Sequence, residues 1–362
     1  MSKEKKILRL NMQAFDEAWH LKYAYTHLKD NWSPAPWKKE LMYFVIDWLS
    51  QSATIAAETS GSTGVPKKIK LSKEFMEVSA RATLDYFGLL AGDKALLCLP
   101  AKYIAAKMMV VRAFVGKLDL YCIPPSLNPA SEWTPPLDFA AFTPAQLSEL
   151  LKTEEGLSFV KSIKKIILGG GSIPAVLESK VQTLDTQIWH TYGMTETMSH
   201  IALRKVNGND KSGCFYPMPG VQLAKNDSGC LTITAPNLGI FGLETNDLVE
   251  MQQGGGFKII GRKDNVVNSG GVKLFPEQIE QKLSGFIEDP FFVGSVPDEQ
   301  LGEKLTLFVE SEDAGESRQE QIRKVLNERL SGLEIPRAIV FEKSFSRTES
   351  GKIIRKKQSM NR

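Results

Sequence analysis

The chain has 362 residues, 42% of them hydrophobic and 24% charged, and a net charge of +3. Such a length and mix suit a compact globular chain with two or more cores and exclude a disordered scaffold. The positive excess is too small to mark a nucleic-acid binder, yet it would not repel small anionic ligands. Cys98, Cys122, Cys214 and Cys230 are scattered without a CxxC pair, which argues against a zinc site or disulfide framework and for buried, reduced thiols.

At the N-terminus, Lys3, Lys5 and Lys6 are followed by Asn11, Gln13, Asp16 and Glu17, which interrupt the apolar core a signal peptide needs. The apolar stretch Leu41 to Leu49 is too short to span a bilayer and contains Asp47, so a cytoplasmic protein without membrane insertion is expected. Residues 1–50 read as helical, with Trp19, Tyr23, Leu41, Phe44, Val45 and Trp48 at helical spacings around a Pro34/Pro36 break. Apolar strands then alternate with helical stretches: Ala95 to Pro100, a helix over Ile104 to Val115, Leu118 to Ile123, Phe139 to Phe142, Lys165 to Leu168 and Gln187 to Tyr192. That alternation predicts a parallel sheet covered by helices.

Beyond Gly213 short strands separated by Gly and Asn turns, such as Cys230 to Ala235, Gly239 to Leu243 and Phe257 to Ile260, predict an antiparallel, barrel-like lobe. After Arg262, Pro276 opens a helix aligning Ile279, Leu283 and Phe286, followed by strands Phe291 to Val296 and Leu305 to Glu310. Ser317 to Glu320 reads as a capping box for a helix carrying Ile322, Val325, Leu326 and Leu330 that Gly332 can end. The expected division is an N-terminal domain over 1–262 and a small α+β domain over 263–362.

Within this frame the run Thr59-Ser60-Gly61-Ser62-Thr63-Gly64-Val65-Pro66-Lys67 stands out. Its glycines let successive amides face one concavity, its hydroxyls add donors and Lys67 adds charge, all of which suit phosphate. Pro66 stands where a P-loop needs its second glycine, and Pro174 breaks the dinucleotide fingerprint that Gly169-Gly170-Gly171 would begin. Alone, the run could be a flexible turn. Three further segments follow in order: Tyr192-Gly193-Met194-Thr195-Glu196, Gly261-Arg262-Lys263-Asp264 continuing to Glu280, and Arg347-Thr348-Glu349-Ser350-Gly351-Lys352.

Together the four segments resemble the adenylate-forming superfamily of acyl-CoA ligases, nonribosomal adenylation domains and luciferases. The stretch Thr191 to Ser199 is most similar to that of 2-succinylbenzoate–CoA ligases of menaquinone biosynthesis. The resemblance implies a large α/β N-terminal domain with a β-rich lobe and a small mobile α+β C-terminal domain. It implies an ATP-dependent ligase that makes an acyl-AMP and passes the acyl group to coenzyme A, with Mg2+ as cofactor. It assigns Thr59 to Lys67 to the ATP phosphates, Glu196 to magnesium and Thr195 to the reacting carboxylate. Gly169, Gly170, Gly171 and Tyr192 fall to adenine, and Asp247 and Arg262 to the ribose. Glu244-Thr245-Asn246-Asp247 departs from the family's usual Tyr-x-Thr-Gly-Asp. Lys352 is the implied catalytic lysine of adenylation, Asp264 the hinge, and Gly270 and Gly271 the lining of the CoA tunnel.

By the same resemblance Tyr103 is an aromatic gate and Arg112 the partner of the acid's second carboxylate, although Arg112 could equally be an outward charge on an apolar helix. The phosphate run begins nearer the N-terminus than is usual, with residues 1–50 in place of most of the family's first subdomain, which leaves self-association open. Two other functions fit the motifs: a ligase for another aryl or acyl acid, and a noncatalytic nucleotide binder. Retention of both Glu196 and Lys352 speaks against the latter.

Overall fold

The computed structural model describes residues 8–10, 13–15, 35–58, 67–131, 135–347 and 353–355. Strands β1 (Leu8–Leu10) and β2 (Gln13–Phe15) pair antiparallel, where the sequence reading expects a helix. The apolar–basic–apolar order Leu8-Arg9-Leu10 has a strand's period of two, and pairing at a sheet edge decides the matter. Trp19 and Tyr23 lie outside the described residues. The expected helix does form in α1 (Pro36–Leu49), which starts with proline at a position needing no N–H and buries Leu41, Phe44, Val45 and Trp48.

A separate hairpin follows, β3 (Thr54–Glu58) with β4 (Lys68–Ser72), in which Glu58 stands opposite Lys68. The phosphate run therefore joins two paired strands. Ser72 accepts a hydrogen bond from the Phe75 amide and starts α2 (Lys73–Phe87). The chain then alternates β5 (Lys94–Leu97), α3 (Ile104–Gly116), β6 (Asp119–Cys122), β7 (Leu137–Phe142), α4 (Pro144–Leu150), α5 (Glu154–Lys161), β8 (Ile163–Leu168), α6 (Ala175–Lys180) and β9 (Gln187–Gly193). In space β9, β8, β7, β5, β6 and β1 run parallel in that order. Antiparallel β10 (His200–Lys205) and β11 (Tyr216–Pro217) extend the sheet beyond β9. Successive residues of the central strands feed opposite cores: Phe139, Ala141 and Trp189 pack on one face, Ala140, Phe142 and Ile188 on the other.

The β-rich lobe is an open meander of β12 (Gln222–Lys225), β13 (Cys230–Ala235), β14 (Ile240–Met251) and β15 (Phe257–Arg262). It is not closed as a barrel, since the described β12 and β15 do not pair with each other. A third core, from Val267 to Phe345, is built on β16 (Val267–Ser269), β17 (Val272–Leu274), α7 (Pro276–Leu283), β18 (Phe291–Asp298), β19 (Gly302–Glu310), α8 (Glu316–Arg329) and β20 (Ala338–Glu342). Three expectations for this part fail. Gly315, whose N–H reaches the Asp313 carboxylate at 2.9 Å, is the N-cap of α8, which places Ser317 to Glu320 inside the helix instead of at its cap. The helix also ends before Gly332, at an extended Leu330. Phe286 lies beyond α7 and is exposed, with the Arg329 guanidinium 3.5 Å over its ring. No helix among the described residues is long and apolar enough to cross a membrane.

Candidate active site

Ligands of open α/β sheets gather at the carboxyl ends of parallel strands, and six of the implied residues do the same. Gly169 to Gly171 follow β8, Tyr192 ends β9, and Thr195 and Glu196 form the short turn before β10. This turn packs closely on β9: a Cβ on Gly193 would lie 2.3 Å from the Ser199 carbonyl oxygen and 2.6 Å from the His200 Cα, so only glycine fits. Thr195 is buried and Glu196 is exposed. Thr197 closes the turn by accepting from the Met194 amide at 3.0 Å and donating to the Ser199 carbonyl at 2.7 Å.

The register of β14 and β15 places Asp247 directly opposite Arg262. Arg262 donates to Asp247 at 3.2 Å and to Asp264 at 3.0 Å, while the Tyr192 hydroxyl donates to the other Asp247 oxygen at 2.6 Å. Thus four residues from three separate motifs meet in one polar chain. Burial first, and the Asp247 carboxylate second, push the Tyr192 hydroxyl well above its usual range, so it stays a neutral donor. Its ring meets Phe257 edge-on at 5.2 Å.

Sequence reasoning missed His190. Its Nε2 lies 2.9 Å from the Gly171 carbonyl oxygen, which can only accept, so Nε2 carries the proton and holds the end of the glycine run. Its Nδ1 is buried without a partner among the described residues. Burial and then the charge of Arg204 lower the pKa to about 4, keeping the ring neutral. The only sequence signal is its place two residues before Tyr192.

Arg112 lies on α3 and is 2% exposed. It donates to Ser199 Oγ at 2.5 Å and lies 3.6 Å from Met109 Sδ, its Nε has no partner, and no carboxylate pairs with it among the described residues. Burial pulls its pKa down to about 9. His200, whose Nε2 is 3.3 Å from Thr83 Oγ1 and Nδ1 is 3.3 Å from Ser199 Oγ, is pushed well below its usual range by burial and then by Arg112. The alternative of an outward charge is excluded. Tyr103 sits at the N-cap of the same helix with a buried hydroxyl that has no partner among the described residues.

The remaining implied residues lie outside the described residues or on turns of their own. Thr59, Ser60, Gly61, Ser62, Thr63, Gly64 and Lys352 lie outside the described residues, and Lys67 is exposed just before β4. Gly270 and Gly271, with φ of 59° and 83°, form the two-residue turn between β16 and β17, a conformation that favours glycine. Asp264 lies in a single 3-10 turn, Lys263–Asn265, between β15 and β16. No group of three or more metal-binding side chains occurs among the described residues.

Residues 57–231 match the AMP-binding enzyme family. The chain is 34% identical to an acyl-CoA synthetase (AMP-forming)/AMP-acid ligase II-like protein from Dyadobacter fermentans, covering 92% of this chain and 95% of that one with a TM-score of 0.61. It is 24% identical to a 2-succinylbenzoate–CoA ligase from Lactococcus lactis over 86% of this chain and 71% of that protein. The o-succinylbenzoate CoA synthetase from Bacillus subtilis, solved with its acyl-adenylate intermediate, shares the fold at 19% identity, a TM-score of 0.69 and coverage of 83% of this chain and 67% of that one. An identity of 34% across nearly the whole of two chains places this protein in the AMP-binding enzyme family, among the AMP-forming acid–CoA ligases.

Proposed function

We propose that the protein activates 2-succinylbenzoate with ATP and transfers the resulting acyl group to coenzyme A. The observation that carries the choice of acid is Arg112, a fully buried guanidinium without a carboxylate partner among the described residues. Burying an unpaired charge is costly, and a bound carboxylate would relieve that cost with charge-assisted hydrogen bonds. When one carboxylate of this diacid is activated, the other stays anionic and needs such a partner. The 2-succinylbenzoate ligases among the chain's relatives support the same reading.

In the first half-reaction an oxygen of the acid attacks the α-phosphorus of ATP, and the bond to pyrophosphate breaks as the mixed anhydride forms. In the second, the CoA sulfur attacks the acyl carbon, the thiol proton passes to solvent and AMP leaves. Thr59 to Lys67 would hold the outer phosphates, and Gly169 to Gly171 with Tyr192 the adenine. Asp247 already accepts from Tyr192 and Arg262, and a carboxylate's remaining lone pairs suit ribose hydroxyls. Thr195 would donate to the reacting carboxylate. Lys352 would stabilise charge shared between attacking and leaving oxygens. Glu196, an exposed carboxylate beside a buried hydroxyl, fits magnesium, which takes one or two carboxylates together with substrate phosphates and supplies charge neutralisation there. Tyr103 would close the acid pocket, Asp264 would act as the hinge between the two steps, and Gly270 and Gly271 would let the pantetheine arm approach their backbone.

A second reading, a ligase for another aryl or acyl acid, draws on the Dyadobacter protein, which is matched over more of its length. One experiment decides between them: kcat/KM of the wild type and of Arg112→Leu, for 2-succinylbenzoate and for its analogue without the aromatic carboxylate. Losing a hydrogen bond to a charged group costs about 1.5–3 kcal/mol, so the variant should lose roughly tenfold to a hundredfold on the diacid and little on the analogue. A coupling near zero removes Arg112 from the acid site. Failure of the wild type to prefer the diacid leaves the broader ligase function.

A further inference from the structure

Helix α7 begins at Pro276, after the β16–β17 hairpin that follows Asp264, and carries two glutamates on one face, Glu277 and Glu280. Both meet Arg355. The guanidinium donates to Glu280 Oε2 at 2.7 Å, stands 3.8 Å from Glu277 Oε1, and reaches the Val293 carbonyl at 3.4 Å. Glu280 Oε1 accepts from the Val293 amide at 2.7 Å. Glu277 Oε1 accepts from Asn265 Nδ2, in the turn that contains Asp264, at 2.5 Å. Its Oε2 is buried against Gly261, where a Cβ would come within 2.8 Å of it. One polar cluster therefore connects the exit of the hinge turn, the first helix after it and Arg355.

Arg355 lies three residues after Lys352 in the chain. Just before that stretch Arg347 bonds Glu310 with both terminal nitrogens, the first at 2.7 Å from Oε1, and the Phe345 amide donates to the same carboxylate at 2.7 Å. Arg347 bridges Ile353 antiparallel, and the Ile354 amide reaches the Ser346 carbonyl at 2.8 Å. The chain entering the Lys352 stretch and the chain leaving it are thus tied to each other and, through separate arginine–glutamate pairs, to β19 and α7. Burial raises the Glu280 carboxyl to about 7 even though Arg355 opposes that shift. Arg355 and Glu280 keep 26% and 19% of their side-chain surfaces exposed, and a half-buried pair that carries such a desolvation cost is a poor stabiliser, so geometric placement is a better account of it.

We propose that Glu280 and Arg355 are positioning residues for Lys352: they fix the base of the lysine's stretch to the helix that follows Asp264, so that rotation at the hinge carries both as one body. This rests on the reading of Lys352 as the adenylation lysine. Glu277 joins the same body to Asn265.

The test replaces the pair by apolar side chains of similar length, Glu280→Met, Arg355→Met and both together, exchanges that often leave stability unchanged where an ion pair is desolvated. Pyrophosphate release is followed with an acid that the wild type turns over, and thioester formation is followed separately from supplied acyl-AMP. Misplacing a catalytic group by about an ångström costs on the order of a hundredfold, so each single variant should lose roughly tenfold to a hundredfold in kcat of adenylation. KM for ATP, thioester formation and Tm should stay near their wild-type values. The double variant should lose no more than either single one, because the two residues act as a unit. Lys352→Ala serves as the reference. If it abolishes adenylation while the Met variants leave adenylation intact, or if those variants slow both half-reactions alike, positioning is overturned and the lysine's role stands. If Lys352→Ala itself leaves adenylation intact, the lysine's role fails and the positioning proposal with it.

Discussion

His190 and His200, on adjacent strands, are held neutral by burial, the first with its pKa lowered to about 4 and the second well below its usual range. A base depressed in the folded state binds fewer protons there than in the unfolded chain. The associated stability is therefore complete above about pH 6.5 and is lost as pH falls through the folded value. For His190 the loss runs from about pH 6.5 down to about 4 and amounts to something on the order of 3 kcal/mol once the ring is charged. Gln can still donate to the Gly171 carbonyl but does not titrate, so the Tm of His190→Gln should decline less steeply across this range than that of the wild type. Parallel declines would mean that His190 does not carry the acid limb. Neither histidine's environment was legible in the sequence: His190 depends on a carbonyl 19 residues back and His200 on Thr83, 117 residues back. Tyr192, Asp247 and Arg262 were legible as types because their motifs name them. Their contact was not, because it comes from the β14–β15 register.

At the level of elements, the apolar alternation predicted the central sheet because buried parallel strands must be apolar on both faces. It failed where polar sequence forms a strand. β14 runs on from Ile240 to Met251 through Glu244, Thr245 and Asn246, its pairing maintained by β13 and β15 across shifts in register. The α8 cap failed because Ser317 to Glu320 satisfies a spacing rule while Gly315, tied to Asp313, has already begun the helix. Helix ends offer a testable contrast. α2 ends on Gly88 at φ 57°, ψ 44°, and α3 on Lys117 at nearly the same angles, φ 54°, ψ 40°. A non-glycine residue in this left-handed region is strained, and glycine removes the strain at some entropic cost to the folded state. Lys117→Gly should therefore raise stability by about 0.5–1 kcal/mol, read as a higher denaturant midpoint at unchanged m. A lower midpoint would show that the contacts of the lysine side chain outweigh the relief.

On the scale of the whole molecule, the two half-reactions need different surroundings at one acyl carbon: water and thiol kept away first, thiol admitted afterwards. The third core, from Val267 to Phe345, joins the rest of the chain through the short turn Lys263–Asn265. Asp264 in that turn also accepts from Arg262 and Asn246, so its carboxylate and its backbone freedom have to be tested apart. Asp264→Pro fixes φ at this residue and disfavours the helical conformation that the 3-10 turn requires of Lys263. On the proposed hinge role of Asp264, it should depress one half-reaction well beyond the other. Asp264→Ala removes the same carboxylate but leaves the backbone free, and it should shift both half-reactions by similar factors. Pyrophosphate release and thioester formation from supplied acyl-AMP, measured on both variants, separate the two effects. A proline variant that slows both steps equally, or neither, would place the moving joint somewhere other than Asp264.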